Sequence, residues 1–296
     1  QDEPRRAVAL KLVRTLPGLE RDDRSLAREA AAMARLQHPH VAQVFAAGTL
    51  ADAGGNLAWF AMELVPEARD LTRFCRERAL PLGERLALFE DVCHAVQHGH
   101  QRGVVHCDLK PENLLVDAAG VVRVIDFGIA RLLGRESSAD TLCLEPEALR
   151  GTLAYLSPEQ ARIDGVPPDT RADVYALGVV LYELLAGVRP LALEGLGLAE
   201  ALRVVREVEP PPPSRHRPEL APALDTIALH ALRKDPEQRY ASVAELAEDL
   251  RRAREHRPLA ARPPTRLERT RLFVRRHRVL VAATATVCLS LAGAAA

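Results

Sequence analysis

The spacing of hydrophobic residues along the chain changes several times, and each change marks an element. Val8, Ala9 and Leu10 lead into Lys11 as a short apolar strand. Across 21–36, Leu26, Ala30, Met33 and Leu36 recur at steps of three and four, which places them on one face of a helix. His38-Pro39-His40 ends that helix, because the residue before a proline is pushed out of helical geometry. Residues 41–47 and 57–64 read as two strands, separated by a loop of small and polar residues over 51–56. Helical spacing returns over 81–101, with Leu86, Phe89, Val92, Cys93 and Val96 on its apolar face. The short β-branched stretches 114–116 and 121–125 flank turn residues at 117–120 and predict a hairpin. Residues 173–186 are apolar almost all round, so this helix is buried on most sides. Four prolines at 210–213 make a rigid spacer, and 243–254 reads as a closing helix.

The pattern then changes character. Residues 251–278 hold eleven Arg against two Glu, and the following eighteen residues, 279–296, carry no charge. At about 1.5 Å per helical residue this last stretch is roughly as long as a bilayer's hydrocarbon core is thick. Arginines on its near side place the preceding domain in the cytoplasm, at the cell membrane, on a single-pass anchor. The 296 residues sum to a formal charge of zero, with 40 Lys plus Arg against 40 Asp plus Glu, so no global attraction to nucleic acid is expected. Five cysteines with no C-x-x-C pair suit reduced thiols rather than a disulfide framework or a zinc site. His94, His98 and His100 lack acidic or cysteine partners at ligand spacing, which favours packing or surface roles. Only three of the forty cations are Lys: Lys11, Lys110 and Lys234. In so Arg-rich a chain, lysine is expected where a compact point charge is required.

The hairpin carries the chemistry. His106-x-Asp108 precedes it, Asn113 stands just before its first strand, and Asp126-Phe127-Gly128 follows its second. An antiparallel hairpin brings its own ends together, so Asn113 and Asp126 are expected side by side. A side-chain carbonyl and a carboxylate are the hard oxygen donors that Mg²⁺ prefers. Asp108, on the loop feeding the hairpin, faces the same point.

These two motifs at this spacing resemble the catalytic and metal-binding loops of eukaryotic-type protein kinases. The resemblance implies that Asp108 accepts the proton of an attacking hydroxyl, that Lys110 neutralises charge on the transferred group, and that Asn113 and Asp126 hold Mg²⁺. It implies that Lys11 reaches the α/β-phosphates of ATP and that Glu29, on the 21–36 helix, pairs with it. Met62-Glu63-Leu64-Val65-Pro66 is similar to the segment between kinase lobes. There the backbone groups of Glu63 and Val65 would meet an adenine edge, with Met62 at the back of the pocket and Ala9 and Leu115 sandwiching the base. Residues 151–159 resemble the end of a serine/threonine kinase activation segment, in which Thr152 bridges Asp108 and Lys110. His106, Phe127, Gly128 and Asp173 are implied as supports of the catalytic loop, and Glu159 and Arg239 as a buried brace.

The fold so implied is α+β and bilobal: a β-rich small lobe over 1–65, a helical large lobe over 66–256, a basic linker over 257–278 and a transmembrane segment over 279–296. The resemblance is to bacterial eukaryotic-like serine/threonine kinases, with ATP and Mg²⁺ as cofactors, protein Ser/Thr hydroxyls as substrates, and a homodimer as an admissible partner state. Two departures stand out. The ten residues before Lys11 contain no glycine, where the family carries a glycine-rich phosphate loop, so an N-terminally truncated chain is expected. The usual H-R-D is His106-Cys107-Asp108, and cysteine cannot grip an activation-loop phosphate as arginine does. The alternative class is a membrane-tethered pseudokinase that binds without catalysis. A small-molecule phosphotransferase is disfavoured by Lys110 and by the 152–159 block.

Overall fold

A computed structural model of the chain describes residues 6–14, 33–52, 55–127, 152–162 and 168–261. Glu29, Gly128, the basic tail beyond Ala261 and the uncharged stretch 279–296 lie outside the described residues. Among those described, no helix is long and apolar enough to cross a membrane.

The small lobe is a three-stranded antiparallel sheet of β1 (Val8–Arg14), β2 (Val44–Asp52) and β3 (Gly55–Glu63), in the order β1-β3-β2. The expected loop over 51–56 is mostly strand: Ala51 pairs with Asn56 and Asp52 with Gly55, leaving two residues for the connection. Their own side chains favour a loop, so the ladder built by the apolar residues on either side overrides local preference here. Among the described residues, the lobe's core is Met33, Val44, Ala58, Phe60 and Met62, with Ala9 and Ala47 packed against them.

A second sheet of three short strands, β4 (Arg69–Asp70), β5 (Leu114–Val116) and β6 (Val122–Val124), lies on the large lobe. β5 and β6 form the predicted hairpin. Asp117 Oδ1 accepts from the Ala119 and Val121 amides at 3.0 and 2.9 Å, and Gly120 takes the left-handed φ of 84° that closes the turn. The 38–42 segment joins the lobes by hydrogen-bonding to β6: Ala42 N–H donates to Val124 C=O at 2.9 Å, and Val124 N–H to His40 C=O at 2.8 Å.

Among the described residues the longer helices are α1 (Leu71–Glu77), α2 (Leu82–His100), α3 (Thr170–Ala186), α4 (Leu198–Glu207), α5 (Pro222–Ala231) and α6 (Val243–Arg254). α2 and α6 match their sequence expectation within a residue. α3 starts three residues before Asp173, because the Asp169 carboxylate caps it by accepting from Arg171 N–H at 2.7 Å. Gly187, at φ 76°, ends it. As its all-round apolarity predicts, α3 is the lobe's axis, with fourteen of its residues buried. Packing continues past α6: buried Asp249 accepts from the Ala260 and Ala261 amides at 2.7 and 2.9 Å and straps the chain back onto the lobe.

The axis approaches its neighbour closely at Gly178, where an added Cβ would lie 2.8 Å from Ala231 Cβ and 3.3 Å from the Ala231 backbone. Gly178→Ala is therefore expected to lower unfolding stability by about 1–3 kcal/mol, since two helix backbones must part. Chemical denaturation measures it, and an unchanged midpoint would contradict the close packing.

Candidate active site

The site forms where the two lobes meet, and it is assembled from backbone outward. At its base Asp173, on α3 and 1% exposed, accepts from the His106 and Cys107 amides at 2.8 and 2.9 Å. His100 Nε2, at the end of α2, lies 2.7 Å from the same carboxylate. These bonds fix the peptide just before Asp108. Cys107 sits at φ 65°, the left-handed region that costs a non-glycine residue free energy and persists only when its surroundings impose it. Here both flanks are held, because Gln160 Nε2 donates to Cys107 C=O at 3.1 Å.

His106 carries the constraint across to the hairpin. Its Nδ1 accepts from Asp108 N–H at 3.3 Å, so the ring proton belongs to Nε2, which donates to Ile125 C=O at 2.9 Å. Phe127 is 4% exposed and packs on the His106 ring at 4.8 Å between centroids. A Cβ at Gly99 on α2 would collide with that phenyl ring, so α2 must present glycine there. Between Ile125 and Phe127, Asp126 is turned to φ 64°. Its carboxylate leaves the hairpin toward the small lobe and meets Lys11 Nζ of β1 in an ion pair through Oδ2. Its other oxygen, Oδ1, is buried with no protein partner.

Asp108 lies beside this. Lys110 Nζ is 3.0 Å from its carboxylate, and Asn113 Nδ2 donates to Asp108 C=O at 2.7 Å and to Oδ2 at 3.2 Å. Asn113 C=O accepts from Ile125 N–H at 2.9 Å, so the two ends of the hairpin meet as its geometry requires. With its amide nitrogen committed to Asp108, Asn113 retains Oδ1 as its remaining side-chain acceptor. Lys110 Nζ also reaches Thr152 Oγ1 at 3.3 Å.

Residues 152–162 are held by further contacts. Tyr155 O–H donates to Glu183 at 2.6 Å. Burial, reinforced by that carboxylate, pushes the Tyr155 phenol far above its ordinary range, so it stays a donor. Glu159 forms a two-pronged pair with Arg239 at 2.7 Å for each bond. The Arg239 side chain is fully buried, and all five of its N–H groups are used: the other three go to the carbonyls of Arg171, Arg233 and Lys234. A buried guanidinium is tolerable on those terms. Lys234 is not directed at the site. It donates to Val205 C=O at 2.7 Å, and burial holds its ammonium down, to about 8.

Ala9 pairs with Met62 across β1 and β3, and both belong to the small-lobe core. Leu115 is half-buried between fully buried neighbours, so it faces away from the large-lobe core. The Glu63 N–H donates to Gln43 C=O at 2.8 Å, which leaves the Glu63 carbonyl as the backbone group expected to meet a base. Its side chain pairs with Arg123 at 2.9 Å. Val65 follows in irregular, half-buried backbone. Lys11 meets Asp126, and the pairing expected with Glu29 falls outside the described residues.

Two supporting residues escaped sequence reasoning. His100 stands four residues after Val96, in phase with the apolar face of α2, and that phase marks it as buried rather than surface. Gln160 offered no signal beyond its place in the 152–162 segment.

The family model for the protein kinase domain matches residues 1–250. The chain is 40% identical over 251 residues to a probable serine/threonine-protein kinase of Corynebacterium efficiens, covering 83% of this chain and 37% of that protein. It is 38% identical over 258 residues to serine/threonine-protein kinase PknB of Mycobacterium leprae, covering 86% and 40% respectively. To PknB of Mycobacterium tuberculosis it is 38% identical over 274 residues, covering 90% and 42%. The chain thus spans about two fifths of the length of these relatives.

Asp173→Asn leaves one acceptor where three donors converge and adds an N–H₂ among them. It is expected to cost about 2–4 kcal/mol of stability and to raise the exchange rates of the His106 and Cys107 amides above those of the rest of the loop. Hydrogen exchange on the purified chain measures this, and unchanged protection of those two amides would contradict the anchoring role.

Proposed function

The chain belongs to the protein kinase family, and from that premise we propose that it transfers the γ-phosphoryl group of Mg-ATP to Ser or Thr hydroxyls of protein substrates. The observation that carries this is the Lys11–Asp126 ion pair spanning the two lobes, directly beside the Asp108–Lys110–Asn113 cluster. Asp126 Oδ1, buried and unpartnered, and Asn113 Oδ1 are the pair of hard oxygens that suit Mg²⁺. The cation would bring the nucleotide's charge to these oxygens and help neutralise it. Lys11, already against Asp126, is one side-chain swing from an anionic phosphate. Ala9, Met62, Leu115, the Glu63 carbonyl and Val65 would bound the adenine.

On this reading Asp108 receives the proton of the substrate hydroxyl. Lys110, held between Asp108 and Thr152, offsets negative charge on the transferred group. Its position two residues after Asp108, with the Thr152–Glu159 block, supports Ser/Thr over Tyr, as do the names of the relatives. Little covalent chemistry is asked of the protein, so the contribution is positioning and electrostatics. A large lobe beginning near 66, a basic linker and a single membrane span over 279–296, with the kinase domain cytoplasmic, are supported by sequence alone: an uncharged stretch behind eleven arginines.

The test is transfer of labelled γ-phosphate from Mg-ATP to a generic Ser/Thr protein substrate by the full chain. Asp108→Asn is expected to lower kcat by about 10²–10⁴-fold while nucleotide affinity stays within a few-fold. Equal activity in that variant, or transfer that persists in the presence of a chelator, would overturn the assignment.

A further inference from the structure

A charged cluster beside Asp108 has no part in the chemistry proposed above. Arg189 follows the end of α3 and is half-buried, with its guanidinium 5.5 Å from the centre of the Tyr155 ring. Tyr155 in turn donates to Glu183 at 2.6 Å. Glu112 is exposed in the turn at 111–113, between Lys110 and Asn113, and with Glu183 it lies within electrostatic reach of Arg189. Tyr155 stands three residues from Thr152, which contacts Lys110. A polypeptide presenting its hydroxyl to Asp108 must lay its flanking residues close to this group.

Two carboxylates without a cation beside them would attract a basic side chain of the substrate. Arg189 supplies that cation from within the chain, held in place by the Tyr155 ring face rather than left free to swing out. The geometry points to Arg189 as a specificity-determining residue: it masks Glu112 and Glu183 and so removes a preference for basic residues flanking the phosphorylated Ser or Thr. This rests on the kinase reading of the site. Discrimination here works by occupying the favourable site with the protein's own charge.

The test is a positional peptide library phosphorylated by the full chain, with Arg, Ala or Glu at each place around one Ser or Thr. The native chain is expected to show kcat/KM for Arg-containing peptides within about twofold of the Ala series. Arg189→Ala is expected to raise the Arg-to-Ala ratio at one or two positions by on the order of tenfold, the scale of one partly screened charge interaction. Arg189→Lys should keep the native ratio, and adding Glu112→Gln to Arg189→Ala should bring it back down. Glu112→Gln alone, at an exposed site, should shift preference toward Glu-containing peptides, which keeps the test open if Arg189→Ala folds poorly. Phosphorylation of the library with the Arg-to-Ala ratio unchanged in both Arg189→Ala and Glu112→Gln would overturn the inference. No transfer to any peptide by the native chain would instead defeat the kinase reading itself.

Discussion

A single buried carboxylate sets the geometry of this molecule's working end. Asp173 would be costly to bury alone, and it is tolerated because three donors converge on it: two consecutive backbone amides and one imidazole. The amides belong to the loop that carries Asp108. Holding both imposes the left-handed turn at Cys107, and from there His106 reaches over to the carbonyl before Asp126. Acid, amide and metal-binding candidates on three different segments are thus positioned by one residue on the most deeply buried helix of the lobe. Catalysis by positioning demands such rigidity, because the groups must already be in place when charge develops.

Much of this arrangement is legible in the amino-acid sequence. The hairpin could be read from two β-branched stretches around Asp117 and Gly120, and a hairpin has no choice but to bring Asn113 and Asp126 together. The axis helix could be read from its all-round apolarity. The Glu159–Arg239 brace required the family pattern, since nothing in spacing alone links residues 80 apart. What stayed hidden was decided by partners. The 51–56 stretch looks like a loop residue by residue and becomes strand because the opposite strand pairs with it. Which backbone group of Glu63 stays open is likewise decided by a partner, since Gln43 C=O takes its amide. His100 reads in sequence as a packing or surface histidine; its helical phase puts it inside, but its partner Asp173 is 73 residues away and only the fold brings them together.

The distribution of cations follows the same physics. Arg239 can be buried because a fork of five donors finds five acceptors, which an ammonium could not do. Lys11 and Lys110 each set one compact charge against a carboxylate, Asp126 and Asp108 respectively. Lys234 breaks the pattern. Its half-buried ammonium is spent on a carbonyl near α4, which makes it a structural tie between helices rather than part of the site.

The central claim is that Lys11, Asp126 and Asn113 together form a site for a magnesium-bound nucleotide. Calorimetric titration of the full chain with a non-hydrolysable ATP analogue tests it most directly, with Mg²⁺ and then with a chelator, in the native protein and in Asp126→Asn. The account predicts binding that weakens by at least tenfold when Mg²⁺ is removed, and a variant whose affinity no longer responds to the metal. Binding of equal strength with and without Mg²⁺ in the native chain would contradict it.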